Sequence, residues 1–104
     1  MALEQERFIL DMLAAWGDGS DGSRPDIERI MATFADDAVW QLWVPGGPVI
    51  RGRDALRREI ERQMSYVTHN RCTTRHIVSS ERVVMTERDD YCVSNGVPMP
   101  HSMV

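Results

Sequence analysis

Five consecutive residues, Thr86-Glu87-Arg88-Asp89-Asp90, bring carboxyls and a guanidinium into a stretch, Val83 to Val93, that otherwise has the composition of a β-strand. Side chains alternate along a strand, so Arg88 and Asp90 share a face with Thr86 and Val84, while Glu87 and Asp89 fall with Val83 and Met85. A carboxyl in an apolar pocket is pushed toward its neutral form, and an adjacent guanidinium pulls it back toward the charged form. Together they can hold a proton ready for transfer. If the face bearing Arg88 and Asp90 is the concave one, the pair forms the polar centre of a pocket walled by Trp40, Leu42, Phe34 and helix apolars such as Met31. The same spacing equally describes a ladder of solvated ion pairs on an exposed strand face.

Other chemical patterns fail on context. His69, Cys72 and His76 have spacings that suit zinc in a loop or helix, but strand alternation turns His69 away from Cys72 and His76, leaving too few ligands on one side. Gly17, Gly19 and Gly22 match GxGxxG, yet a helix precedes them where the dinucleotide fingerprint needs a strand. The segment GDGSDGS is read as an exposed, flexible connector. All 12 basic side chains are Arg, so Schiff-base chemistry and a P-loop lysine are excluded. No GxSxG nucleophile elbow occurs. Neither a metal site nor a dinucleotide site is expected from these patterns.

The elements that must position Arg88 and Asp90 follow from periodicity. Phe8, Ile9, Met12, Leu13 and Trp16 predict an amphipathic helix over Glu4 to Trp16. Ser23 is placed to cap a second helix, with Pro25 in its first turn and Ile27, Ile30, Met31 and Phe34 buried. Ala38 to Val44 reads as a strand with Trp40 and Leu42 on one face, ended by Pro45-Gly46-Gly47-Pro48. A third helix is expected from Arg53 to Met64, with Leu56, Ile60 and Met64 inward. Its arginines form a solvated charged face through pairs such as Asp54 with Arg58 and Arg57 with Glu61. Strands at Val67 to Val78 and Val83 to Val93 follow, and Asn95-Gly96 predicts a two-residue hairpin turn into a last strand from Val97 to Val104. Three helices gathered on one face of an antiparallel meander make an α+β fold.

A chain of 104 residues has room for one core, so a single domain spanning 1–104 is expected. A net charge of −4 offers no footprint for nucleic acid or an anionic membrane. Met1 to Glu6 is acidic, and no apolar run approaches the roughly 18 residues that span a bilayer. A cytoplasmic setting is expected, in which Cys72 and Cys92 behave as small hydrophobes rather than a disulfide.

Phe34-Ala35-Asp36-Asp37-Ala38-Val39-Trp40, Arg51-Gly52-Arg53-Asp54-Ala55, and His76-Ile77-Val78-Ser79-Ser80 through Thr86-Glu87-Arg88-Asp89-Asp90 together resemble the limonene-1,2-epoxide hydrolase family. That family belongs to the SnoaL-like and ketosteroid-isomerase-like group with the nuclear transport factor 2 fold. The resemblance implies a cone-shaped pocket between a curved sheet and three helices, usually in a homodimer and without cofactor. It implies one-step addition of water to a small apolar epoxide, with Asp90 protonating the epoxide oxygen and Arg88 bridging it to a second Asp that activates water. That second Asp sits in a Trp-Arg-Asp-Tyr-Phe-type segment on the family's final strand, and the sequence stops at Val104 before any such segment. The expectation is therefore a domain lacking its C-terminal strands, with an open edge at Val97 to Val104 that invites dimerisation. Where the family clamps water with a Tyr and an Asn, Trp40 and Leu42 stand instead. Two other readings remain open: a non-catalytic protein binding a small hydrophobic molecule, and an isomerase or polyketide cyclase using Asp90 as a proton shuttle.

Overall fold

The computed structural model describes residues 2–18, 20 and 23–103. Chain order is α1 (Ala2–Ala14), α2 (Ile27–Met31), β1 (Val39–Gln41), β2 (Val49–Arg51), α3 (Arg53–Met64), β3 (Val67–Ser79), β4 (Val84–Ser94) and β5 (Val97–Met103). The long strands form an antiparallel sheet in the order β3-β4-β5, and β1 pairs with β2 as a separate hairpin. This is the expected α+β arrangement, with one strand, β2, that the sequence reading did not anticipate. Three residues between Pro48 and Gly52 carry too little pattern to register as an element.

The core lies where the helices meet. Leu13, Ala15, Ile30, Met31, Leu56 and Ile60 are buried. Trp16, Ile27, Phe34, Ala38, Trp40, Ile50 and Met64 pack around that centre. Leu56, Ile60 and Met64 recur every fourth residue, which gives α3 one apolar stripe. Its polar side carries ion pairs of Arg57 with Glu28 and Glu61, and of Arg62 with a mostly buried Glu59. The chain enters α3 at Gly52, whose φ of +86° suits a residue without Cβ. The Gly52 N–H donates to Ala38 O at 2.8 Å, and Arg53 Nη2 donates to Met31 O at 3.0 Å.

Three local expectations change. α2 is capped by Asp26, whose carboxylate accepts from the Arg29 N–H at 3.2 Å, not by Ser23. Ser23 is instead drawn to β3, where its hydroxyl donates to Asn70 O at 3.3 Å and its carbonyl accepts from the His69 N–H at 2.7 Å. The connector is held at its two ends, by Ser23 and by Gly17, which lies so close to Asn70 that a Cβ there would sit 2.4 Å from the Asn70 carbonyl oxygen. Gly19, Asp21 and Gly22 of that segment, and Val104 of the last strand, lie outside the described residues. Phe8, expected inward, is 52 % exposed at the margin of α1.

Pairing in the main sheet runs from Ser79↔Val84 at one end to Val67↔Ser94 at the other, with shifts between Thr74 and His76 and between Thr68 and Arg71. A residue inserted on one strand reverses the alternation beyond it. Cys72 and His76 therefore face opposite sides of the sheet, which corrects the expectation that they share one. Asn95 and Gly96, at φ values of 50° and 79°, make the expected two-residue turn into β5.

Candidate ligand site

The bulges decide which side chains meet. Val84, Thr86, Arg88, Asp90 and Cys92 of β4 line the inner face together with Ile77, Thr74 and Cys72 of β3. Helix α1 lies over one end of this face: the Ser79 hydroxyl donates to Glu6 Oε2 at 2.7 Å, and Gln5 Nε2 donates to Glu81 O at 2.6 Å. Thr86 is only 8 % exposed. The outer face carries Arg75 with Asp89 at 3.7 Å, His76 with Glu87 at 2.6 Å, and the Arg71 guanidinium 5.7 Å from the Tyr91 ring centre. The charges of the Thr86–Asp90 run are thus sorted by parity into a solvated outer ladder and a shielded inner pair.

That inner pair is a fork. Arg88 Nε donates to Asp90 Oδ1 and Arg88 Nη2 to Asp90 Oδ2, both at 3.2 Å, with side chains 21 % and 14 % exposed. The remaining arm, Nη1, donates to Thr86 Oγ1 at 3.1 Å. Two parallel bonds fix the plane of the carboxylate as well as its distance, so the pair acts as one rigid polar unit. Sequence parity identified both members.

Sequence reasoning missed the sulfur neighbours. Cys72 is the register partner of Asp90 on β3, and Cys92 follows it on the same face of β4; both are free thiols. Burial first, then the negative charge and hydrogen bonding of Asp90, push the Cys72 thiol up to about 12, with the Arg88 charge opposing. Burial and then the Asp90 charge also raise Cys92. Both sulfurs are therefore neutral donors at physiological pH rather than nucleophiles. An unbulged hairpin counted back from the Ser80–Val83 turn would have paired Asp90 with Thr73, so only knowledge of the bulge could have exposed Cys72.

The residues expected to wall a pocket lie in the helical layer. Met31 is buried in the core, Phe34 and Trp40 pack against it, and the Trp16 and Trp40 rings meet edge to face with centres 6.0 Å apart. Leu42 is half-buried, its N–H bonded to Pro48 O at 3.0 Å. Of the cavities, one touches Met31 of this group and another lies against α1. The first, of about 520 Å³, is bounded by Met31, Asp36 and the start of α3; the second, of about 350 Å³, lies between Phe8 and Ile9 of α1 and Val84. Neither is lined by Arg88 or Asp90.

The sequence profile described as the SnoaL-like domain matches residues 9–99, which takes in the second half of α1, the whole of α2 and α3, the β3–β4 hairpin and both members of the inner pair. No curated protein matches the chain significantly. Among the described residues, no helix is long and apolar enough to cross a membrane.

Proposed function

The chain belongs to the SnoaL-like domain family of the nuclear transport factor 2-like superfamily, and on that premise we propose that it holds a small, largely apolar molecule against the inner face of β3 and β4, anchored by Arg88 and Asp90. SnoaL-like domains bind small molecules, and the family includes both enzymes and non-catalytic binders. The observation that carries the reading is the Arg88–Asp90 fork itself, a charge pair kept mostly from water on a face otherwise made of Val84, Ile77, Thr and Cys side chains. A carboxylate whose edge is gripped by a guanidinium still has lone pairs to accept from a ligand hydroxyl or amide. A pair that serves only to hold the sheet together would be matched or bettered by apolar residues of similar shape.

A second reading is favoured by the same pair and by its resemblance to the limonene-1,2-epoxide hydrolases. In it, Asp90 passes a proton to the oxygen of a small apolar epoxide as the C–O bond opens, and water adds to the ring carbon, losing its own proton to a base. Trp40 and Leu42 cannot orient that water, so the base and the clamp must come from other groups. A homodimer in the cytoplasm is part of this proposal. The discriminating experiment supplies limonene-1,2-epoxide and styrene oxide, follows diol formation, and in parallel titrates limonene and its diol against the intrinsic fluorescence of Trp16, Trp40 and Trp43. Binding without diol supports the binder; diol formation that disappears in Asp90→Asn supports the hydrolase. Neither binding nor turnover with any of these probes would refute both.

A further inference from the structure

We propose that the cleft between the end of β2 and the first two turns of α3 binds a dianionic phosphate group, free or carried by a small molecule, between Arg51 and Arg58. Neither Arg88 nor Asp90 lines this cleft, so the proposal stands whether or not the reading of that pair holds.

The cleft holds about 520 Å³, within the roughly 300–1,000 Å³ usual for small-molecule sites. Four guanidiniums line it, those of Arg51, Arg53, Arg57 and Arg58, together with the carboxylates of Asp36 and Asp54. Two of the four are already engaged. Arg57 is held by Glu28 and Glu61, and Arg53 by Met31 O at 3.0 Å and by Asp36 at 3.5 Å. Arg51 and Arg58 are different: both are exposed, and among the described residues neither side chain has a hydrogen bond or an ion pair. The i, i+4 pair expected between Asp54 and Arg58 does not form. Asp54 lies in the first turn of α3, where the helix dipole already favours a carboxylate. Two guanidiniums opening onto one concavity repel each other unless an anion lies between them, and a cleft focuses their potential. A carboxylate has two oxygens and satisfies one guanidinium fork; a phosphate, with three acceptor oxygens and close to two charges, satisfies two. Buried Met31 and Ala55 add an apolar surface on which the body of a phosphorylated molecule can rest. The chain's net charge of −4 works against a polyanion, which keeps the ligand small.

The test titrates phenyl phosphate and inorganic phosphate into the full chain by calorimetry at physiological ionic strength. Arg51→Gln and Arg58→Gln should each weaken binding about tenfold or more, because each removes a charge-assisted fork. Both side chains are exposed and unpaired among the described residues, so the ligand-free variants should melt no lower than the native protein. Arg75→Gln, on the outer face of the sheet, should bind as the native protein does. Phenyl sulfate presents the same ring with a single charge and should bind more weakly than phenyl phosphate. Tighter binding of phenyl phosphate than of inorganic phosphate assigns the cleft to a phosphorylated small molecule; equal affinity assigns it to free phosphate. Equal weakening in Arg75→Gln would reveal diffuse attraction and overturn the site. Equal affinity for phenyl sulfate, binding indifferent to both Arg51→Gln and Arg58→Gln, or no saturable binding of either phosphate would overturn it as well.

Discussion

Replacing Asp90 by Asn changes one atom and should be felt throughout the domain. Asn keeps the shape of the side chain but turns one acceptor oxygen into a donor, so one of the two bonds from Arg88 is lost and the other is no longer charge-assisted. A hydrogen bond to a charged partner contributes about 1.5–3 kcal/mol. The side chains are 21 % and 14 % exposed, so water recovers part of that loss. The expected destabilisation is therefore about 1–2 kcal/mol, which for a domain of this size lowers the melting temperature by roughly 4–8 °C per kcal/mol. Urea unfolding followed by tryptophan fluorescence would measure it, with an unchanged m-value showing that the denatured state is unaffected. The outer face supplies the control. Arg75 and Asp89 are 3.7 Å apart with side chains 52 % and 50 % exposed, so Asp89→Asn should cost less than about 0.5 kcal/mol. If the two variants prove equally mild, the inner pair is as well solvated as the outer one and its description as a shielded anchor is wrong.

Three further outcomes follow from the framework around the pair. Ile60 is fully buried in the helical core, so Ile60→Ala should cost about 2–5 kcal/mol in chemical unfolding, a large part of the stability of a small domain. Gly96 has φ of +79° with open space around it, so Gly96→Ala should cost about 1 kcal/mol through backbone strain alone, read as a lowered thermal midpoint. The carboxylate of Glu59 is held below its usual 4.5, first by hydrogen bonding from Arg62, then by Gln63. A depressed folded-state pKa stabilises above the unfolded value and is lost as pH falls through the folded one. Glu59→Gln should therefore be less stable than the native protein near neutrality and indistinguishable from it in strong acid, as read from urea midpoints across pH.

What could be read from sequence and what could not divide along a physical line. Periodic apolar residues at Leu56, Ile60 and Met64 mark α3 because every turn repeats the same burial, and Asn95-Gly96 marks its turn because few residues accept two positive φ values in succession. The parity that joins Arg88 to Asp90 is equally local, depending only on β4 being extended. Cross-strand partners are another matter. The bulge beside Arg75 has no signature in its own residues, yet it separates His76 from Cys72 and brings Cys72 to Asp90. Short elements failed for want of repeats: α2 ends at Met31 rather than continuing to Phe34, and β2 has only three residues. Phe8 satisfied the helical pattern but lies where α1 meets the sheet margin, a matter of packing angle that spacing does not encode.

The claim on which the functional reading depends is that a bound molecule touches the inner pair. The most direct measurement is the guanidinium spectrum of protein labelled with nitrogen-15 at arginine. The Nε–H signal of Arg88 would be assigned by its disappearance in Arg88→Met, that of Arg75 in Arg75→Met, and limonene diol or limonene-1,2-epoxide would be added stepwise. The Arg88 signal should move in saturable fashion while that of Arg75 on the opposite face stays fixed. Saturable binding that leaves the Arg88 signal in place would contradict the account.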